Sequence, residues 1–132
     1  MIKPDGMSRN LSQEIKNRIY AAGLKIVKER EFQMDIAEAE KLYAVHEDKP
    51  FHGGLCRFIT SGLVTTMLIQ GKNAVSEVRK LMGATDPREA LPGTIRGDLR
   101  EGYVLTDDGI IKNIVHGSDS PESAKYESAI FF

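Results

Sequence analysis

The sequence predicts an α+β fold of the ferredoxin-like α/β sandwich type, in which helices cover one face of a four-stranded antiparallel sheet. Two observations support this class. Short β-branched apolar runs alternate with segments whose apolar residues recur every three to four positions, and Gly or Pro separates them. The order of these segments, with the smallest helices set aside, is β-α-β-β-α-β. An Asp-Gly pair at 108–109 between two apolar runs predicts an added hairpin before the last strand.

The first half of the chain contains two predicted strand–helix pairs. Asn or Asp at a helix start accepts backbone hydrogen bonds, and a glycine commonly ends the helix. Gln13 and Glu38 stand in the capping-box position, three residues after their caps. The predicted elements are a strand at 1–2, a turn at 3–6, a helix from the cap Asn10 to Gly23, a strand over 24–34 and a helix from the cap Asp35 to about Val45.

The second half begins in a loop rich in proline and glycine and contains one long irregular stretch. The density of apolar residues over 62–69 predicts a central strand. Residues 84–100 show little periodicity, and a long irregular loop in a compact domain is usually functional or disordered. The predicted elements are a short helix ending at Phe58, a strand over 62–69, a helix over 73–82, the loop over 84–100, a hairpin over 103–111, a strand over 113–116 and a helix over 120–128.

Length, charge and cysteine content limit the kinds of function that the protein can have. The chain of 132 residues is long enough for one domain with a single core, and we take 1–132 as that domain. Its net charge of −1 argues against nucleic-acid binding, which depends on an excess of Lys and Arg. No apolar run approaches ~18 residues, so no membrane partner is expected. Cys56 is the only cysteine and no signal-peptide pattern precedes it, so a reducing, cytoplasmic location is expected.

A predicted strand-to-helix corner is the first candidate for chemistry. A β-branched run leads into His116, Gly117 turns the chain, and Ser120-Pro121 opens a helix. Because helix-start N–H groups favour negative charge, this corner suits a phosphate. A buried structural histidine is the alternative that the residue types alone leave open.

Cations that could hold such a phosphate cluster around the irregular loop. Arg88, Arg96 and Arg100 lie within it, and Arg79 lies on the helix just before it. The sequence has no Gly-x-x-x-x-Gly-Lys-Ser/Thr loop, so side chains would have to supply the charge. Phe51 follows a proline in another loop, where an exposed ring could stack on a nucleobase. Packing of that ring in the core is an equally open interpretation.

Three separated segments together resemble the nucleoside diphosphate kinase family. They are Lys3-Pro4-Asp5-Gly6 near the start, Pro-Gly-Thr-Ile-Arg-Gly-Asp at 92–98, and Asn113-x-x-His116-Gly-Ser-Asp-Ser near the end. Weaker matches fill the intervals at 48–51, 61–62 and 83–87. The resemblance covers the whole chain in order, and an ordered set is far more specific than any one tetrapeptide.

The resemblance implies a phosphotransferase that moves the γ-phosphate of a nucleoside triphosphate such as ATP to a nucleoside diphosphate by a ping-pong route. His116 matches the family's nucleophile, which carries the phosphate on Nδ1 as a phosphohistidine. An unprotonated imidazole is a good nucleophile near neutral pH, and a covalent intermediate lets one site serve donor and acceptor in turn. Mg²⁺ should arrive with the nucleotide, and Asp119 could contact it through water; an N-cap role for Asp119 is the alternative.

The same resemblance implies roles for the surrounding side chains. Glu127 would orient His116 directly or through Ser118, although a solvated glutamate is the alternative, and Tyr43 would lie near the nucleophile. Phe51 would stack on the base without reading its edges. The phosphates, or the sugar in the case of the asparagine, would be held by Lys3, Arg79, Thr85, Arg96 and Asn113.

Partners follow from the resemblance as well. Nucleoside di- and triphosphates would be the substrates, and a homo-oligomer is expected, with a hexamer first and a tetramer second. The link from Leu99 to Lys112 is longer than in the family's common form, which bears on assembly more than on chemistry. Two other functions stay open. One is a nucleotide-binding or protein-interaction module with weak or no catalysis; the other is nucleic-acid binding through the sheet, for which the usual aromatic strand motif is missing.

Overall fold

The computed structural model describes all of residues 1–132 and contains seven helices, one short 3₁₀ turn and two strands. None of the helices combines the length and the apolarity that crossing a lipid bilayer requires. The elements in chain order are α1 (Pro4–Ser8), α2 (Ser12–Ala21), β1 (Lys25–Gln33), α3 (Ile36–Leu42), the 3₁₀ turn (Ala44–His46), α4 (His52–Ile59), β2 (Leu63–Gln70), α5 (Ala74–Met82), α6 (Ile95–Leu99) and α7 (Pro121–Phe131).

The sheet consists of β1 and β2, which pair antiparallel from Lys25 opposite Gln70 to Gln33 opposite Leu63. The register shifts between Ile26 and Lys28, so one residue of β1 bulges out of the ladder. β2 is the more buried of the two strands, as its apolar density predicts, whereas β1 is exposed along most of its length. The predicted strands over 24–34 and 62–69 are therefore confirmed within about one residue at each end.

The other two predicted strands are present only as single bridges, so two of the four predicted strands are confirmed. Ile2 bridges Thr65 of β2 on one side and Val115 on the other. The first strand cannot extend because Pro4, which lacks an N–H, begins α1 two residues later. The last strand cannot extend backwards because Ile114 has a φ of +74°, which is incompatible with an extended chain. The α+β content of the prediction stands.

The helix starts show where capping patterns are reliable. Asp35 accepts a hydrogen bond from the backbone of Glu38, whose side chain returns the bond, so the predicted capping box is confirmed. The prediction for Asn10 is wrong. This residue takes a φ of +58° between α1 and α2, and α2 begins without a side-chain cap. Asn tolerates the left-handed region well, which explains its place at this sharp joint.

The stretch over 84–100 is less irregular than predicted because it contains α6. Thr94 caps this helix by accepting the N–H of Gly97, and Arg96 lies in its middle. A Cβ at position 97 would lie 2.1 Å from the carbonyl oxygen of Leu91, so only glycine fits there. The five residues of α6 are too few to produce a readable hydrophobic period.

The predicted hairpin is present in reduced form. Leu105 bridges Ile111, and Thr106 and Ile110 join through a backbone hydrogen bond of 2.8 Å. The turn packs on α4, since Ile110 covers Gly54 so closely that an added Cβ would lie 2.9 Å from it. The added segment is therefore attached to the helix that follows Phe51.

Two apolar clusters support the region around His116. The first contains Ile114 and Val115 together with residues of α2, α5 and α6. The second contains Tyr43 from the end of α3 and Phe131 from the end of α7. The segment that leads to His116 is thus anchored in one cluster, while α7, which follows it, is anchored in the other.

Candidate active site

The backbone of His116 is fixed by the first residue of the chain. Its N–H donates to the carbonyl oxygen of Met1 at 2.8 Å, and the Met1 amino group donates to the His116 carbonyl oxygen at 2.8 Å. This pair continues the bridge between Ile2 and Val115. The histidine therefore stands at the end of a paired segment, as predicted, although that segment is too short to form a regular strand.

The imidazole of His116 is held by a carboxylate on α7. Its Nε2 lies 2.5 Å from Oε1 of Glu127, which also accepts a 3.0 Å hydrogen bond from the hydroxyl of Ser118. Nδ1 has no hydrogen-bond partner within the chain. The predicted trio of His116, Ser118 and Glu127 is therefore brought together, and Glu127 contacts the ring directly.

The pKa shifts of His116 and Glu127 favour a neutral imidazole beside an ionised carboxylate. Burial lowers the pKa of His116, against the opposing hydrogen bond and charge of Glu127. Burial raises the pKa of Glu127, but the hydrogen bonds from His116 and Ser118 hold it below its ordinary value. A carboxylate accepts only, so it selects the tautomer with the proton on Nε2 and leaves a lone pair on Nδ1. The side chain of His116 is still 28% exposed, so that nitrogen can be reached.

A strained turn immediately precedes the histidine segment. Ile114 has a φ of +74°, and the N–H of Val115 donates to the carbonyl oxygen of Asn113 at 2.7 Å, as in a γ-turn. A β-branched residue in this region costs on the order of 1–3 kcal/mol and persists only where the surroundings enforce it. Lys3 contributes to that enforcement, since its N–H donates to the Ile114 carbonyl oxygen at 2.8 Å.

Asn113 joins two of the other predicted site residues. Its Oδ1 accepts a 2.9 Å hydrogen bond from Nζ of Lys3, and its Nδ2 donates at 3.0 Å to the carbonyl oxygen of Thr85. Both Lys3 and Asn113 are buried, with 5% and 7% of their surface exposed. Burial lowers the pKa of Lys3 to about 8, with the charge of Asp5 opposing this shift.

Arg96 is a buried cation that bridges three parts of the backbone. Its guanidinium donates to the carbonyl oxygens of Asn113 at 3.1 Å, Gly83 at 3.1 Å and Val115 at 2.7 Å. Burial, aided by the charge of Arg79, lowers the pKa of Arg96 to about 10, so the group is cationic at neutral pH. A guanidinium has five N–H donors, and these three bonds leave two of them free for a ligand.

Arg79 and Asp119 lie at the exposed side of the corner. Arg79 donates at 3.1 Å to the carbonyl oxygen of Gly117, the residue directly after His116. The carboxylate of Asp119 accepts a 2.5 Å bond from the Ser123 hydroxyl, and this bond holds its pKa below the ordinary value. Ser120 caps α7, so the alternative N-cap role of Asp119 is wrong.

The two aromatic residues of the predicted site differ in burial. Tyr43 is buried at the end of α3, and burial, with the charges of Cys56 and Glu127, raises the pKa of its hydroxyl. The phenol is therefore neutral and within electrostatic range of the carboxylate that holds His116. Phe51 is 44% exposed, and its ring centroid lies 5.5 Å from that of His46. The core-packing interpretation of Phe51 is wrong.

Two residues that shape this site have no role in the sequence-based prediction. The sequence predicts a turn at Asp5, yet the carboxylate of Asp5 is buried and accepts the N–H of Ile114 at 2.9 Å. The sequence predicts an ordinary strand residue at Ile114. Pro4 followed by Asp5 is typical of the first turn of a helix, so this pair could have predicted α1. No local sequence pattern predicts a positive φ at an isoleucine.

A model of the family described as nucleoside diphosphate kinase matches residues 1–132. The chain belongs to the nucleoside diphosphate kinase family. The family predicted from the three ordered segments is therefore confirmed, and so is the predicted activity, that of a nucleotide phosphotransferase. The weakly catalytic or non-enzymatic module is correspondingly disfavoured.

Individual nucleoside diphosphate kinases show how far the similarity extends. The chain is 46% identical over its whole length to the enzyme of Coxiella burnetii (strain CbuK_Q154), covering 90% of that relative. It is 50% identical over its whole length to the enzyme of Sulfurisphaera tokodaii, covering 85% of it. Among solved structures, the halophilic enzyme from Halobacterium salinarum in complex with CDP is 45% identical and superimposes with a TM-score of 0.88 over 99% of this chain and 83% of that one.

Proposed function

We propose that His116 carries the transferred γ-phosphate on Nδ1 in a ping-pong nucleoside diphosphate kinase reaction. The observation that supports this most is the 2.5 Å contact between Nε2 and Glu127, which leaves Nδ1 as the available nucleophile. In the first half-reaction the Nδ1 lone pair forms a P–N bond to the γ-phosphorus, and the bond to the β,γ-bridging oxygen breaks. The diphosphate leaves with that electron pair.

Glu127 balances the charge that this step creates. The phosphorylated ring gains positive character, which the carboxylate at Nε2 stabilises without any proton having to leave. In the second half-reaction a terminal oxygen of the acceptor diphosphate forms a bond to phosphorus and the P–N bond breaks. His116 is then neutral again, with its proton still on Nε2 toward Glu127. Ser118 is a positioning residue in this scheme because its hydroxyl donates to Glu127. Tyr43 would lie near the nucleophile with a neutral hydroxyl, since burial and the charges of Cys56 and Glu127 raise its pKa.

The residues proposed to bind the phosphates lie around the same strand-to-helix corner as His116. Arg96 has two free N–H donors, Lys3 places a buried cation beside Asn113, and Arg79 lies exposed next to Gly117. Fixed cations of this kind suit phosphoryl transfer, because negative charge spreads over the equatorial oxygens in the transition state. Thr85 would also hold the phosphates, and Asn113 would contact the sugar or phosphate side of the nucleotide. All five residues were predicted from the sequence, and their roles remain part of the proposal.

Mg²⁺ fits this site as a partner of the nucleotide. No group of three or more His, Cys, Asp and Glu side chains is arranged to hold a metal ion, so the phosphates would supply most of the ligands. Asp119 is an acidic side chain at the start of the segment that leads into α7, and it would contact the ion through water, with Ser123 donating to one of its oxygens. When bound, the ion would neutralise part of the phosphate charge during transfer.

Assembly and compartment are further parts of the proposal. We infer a homo-oligomer, hexamer before tetramer, on the basis of family membership. We also infer a four-stranded ferredoxin-like sheet in which the segments of Ile2 and Val115 are the third and fourth strands, since the observed bridges give the neighbour order β1, β2, Ile2, Val115. The lone buried Cys56 is consistent with a reducing cytoplasm.

Phe51 is the proposed stacking platform for the base. Its exposed ring offers a face to any nucleobase, and stacking is worth about 1–3 kcal/mol per base. We expect Phe51→Ala to raise KM for purine and pyrimidine nucleotides alike by roughly tenfold, with a smaller effect on kcat. The matched control is Tyr103→Ala, because Tyr103 is a more exposed aromatic residue on the hairpin. A loss confined to purines would contradict simple stacking.

The proposed function is tested by the half-reaction. Enzyme incubated with ATP and Mg²⁺ alone should release ADP and retain one phosphate per chain, and a different nucleoside diphosphate should then remove that phosphate. Transfer that occurs only when donor and acceptor are present together would contradict the ping-pong route. The test needs no variant, so it cannot fail through misfolding.

A further inference from the structure

Asp5 is a buried carboxylate that the reaction scheme above does not use. It lies in α1 with 6% of its surface exposed. Its Oδ2 accepts the N–H of Ile114 at 2.9 Å, across 109 positions of sequence, while Oδ1 has no hydrogen-bond partner. Burying a carboxylate is unfavourable unless its charge or its hydrogen bonds are used, so this residue calls for a reason.

The first reason is the turn at Ile114. The carboxylate of Asp5 accepts the N–H of Ile114, and the N–H of Lys3 donates to the carbonyl oxygen of Ile114 at 2.8 Å. Both backbone polar groups of the strained residue are therefore bonded to α1 or to the residue just before it. The turn separates Asn113, which binds Lys3, from His116, whose ring is held on α7. The direction of the chain between phosphate ligand and nucleophile therefore depends on the carboxylate of Asp5.

The second reason is charge. The groups that act on the Lys3 ammonium are Asp5 and Arg96, and the Lys3 charge acts in turn on the Met1 amino group and on His116. Glu127 is the anion that acts on Met1 and His116, whereas Asp5 is the anion that acts on Lys3. The charge of Asp5 raises the pKa of Lys3 and of Arg96 against the effect of burial. The carboxylate thus favours the charged form of Lys3, whereas Arg96 is cationic at neutral pH in either case.

We propose that Asp5 is a positioning residue for phosphoryl transfer, which holds the Ile114 turn by hydrogen bonding and favours the Lys3 cation by its charge. The inference rests on the proposed role of His116 as nucleophile. The two functions of the carboxylate are separable, because an asparagine can accept the Ile114 N–H but carries no charge, whereas an alanine does neither.

The experiment compares Asp5→Ala, Asp5→Asn and a matched stability control, Ile19→Ala. Ile19 is 3% exposed in α2, and it belongs to the same apolar cluster as Ile114 without touching the site residues by hydrogen bonds. We expect Asp5→Ala to lower kcat at least tenfold with a smaller change in KM, and Ile19→Ala to lower Tm with kcat unchanged. Asp5→Asn should restore most of the lost kcat near neutral pH.

The pH profile separates the charge effect. Lys3 must be protonated to act as a cation, so kcat/KM should fall as pH rises through its pKa of about 8. Removing the Asp5 charge removes the influence that raises this pKa, so the alkaline limb of Asp5→Asn should move to lower pH. The acidic limb, which reports the neutral form of His116, should move little by comparison.

Three outcomes would overturn the proposal. If Asp5→Ala keeps the wild-type kcat and only its Tm falls, as expected for Ile19→Ala, then the role of Asp5 is purely structural. Identical behaviour of the Asn and Ala variants at every pH would remove the hydrogen-bonding role. If Asp5→Ala does not fold, an unmoved alkaline limb in Asp5→Asn overturns the charge role by itself. Labelling of wild-type His116 by ATP is measured alongside, so failure of the nucleophile itself is recognised separately.

Discussion

Replacement of His116 by alanine should lower the exchange of phosphate between ATP and other nucleoside diphosphates by about 10⁴-fold or more. The proposed route has no second nucleophile, because the phosphate must rest on the enzyme between donor and acceptor. Nucleotide affinity should change little, since the cations and Phe51 remain in place. The measurement is steady-state exchange, together with nucleotide binding by calorimetry.

Controls for this variant are available in the same chain. His46 and His52 are the other two histidines; neither contacts the Glu127 group, and His52 contacts Cys56 instead. His52→Ala should therefore retain kcat within a small factor. Full activity of His116→Ala would rule out the phosphohistidine mechanism, and an equal loss in His52→Ala would point to a general effect on folding.

Arg96→Ala should lower kcat by about 10²–10³-fold, because the guanidinium stabilises charge that develops on the transferring phosphate. It should also lower the free energy of unfolding by about 3 kcal/mol, since three backbone carbonyl oxygens, two of them in buried hydrogen bonds, lose their donor. The measurements are kcat and KM, and the unfolding midpoint in denaturant. Arg96 is thus expected to contribute both to catalysis and to the fold.

Arg96→Lys distinguishes these two contributions. Lysine retains the positive charge but cannot reach Gly83, Asn113 and Val115 at once, because its single ammonium lacks the planar fork. We expect this variant to recover part of the lost kcat while remaining destabilised. An increase in KM at unchanged kcat for Arg96→Ala would contradict transition-state stabilisation and indicate uniform nucleotide binding instead.

Local chemistry made much of this structure predictable. The Asp35–Glu38 capping box, the cap Ser120 with Pro121, and the two long strands each depend on neighbours in sequence, and each occurs within about one residue of its predicted place except at the far helix ends. An orienting role for Glu127 was predicted from the family resemblance, either directly or through Ser118, and the structure shows a direct contact with His116.

Features that depend on distant contacts could not be predicted in this way. The φ of +74° at Ile114 is enforced by Asp5 and Lys3, which lie more than 100 positions away, and isoleucine disfavours it locally. That turn and the early start of α1 at Pro4 together reduce two predicted strands to bridges. The buried bonds of Arg96 likewise arise only when α6 and the Asn113 segment meet.

The most direct test of the mechanism identifies the nitrogen that carries the phosphate. Wild-type enzyme is incubated with γ-labelled ATP and Mg²⁺, quenched in alkali to preserve phosphohistidine, digested and compared with the two phosphohistidine isomers. The contact of Glu127 with Nε2 predicts a single labelled peptide containing His116, with phosphate on Nδ1, and loss of the label when a nucleoside diphosphate is added. Label on Nε2, on another residue, or on none would contradict the mechanism.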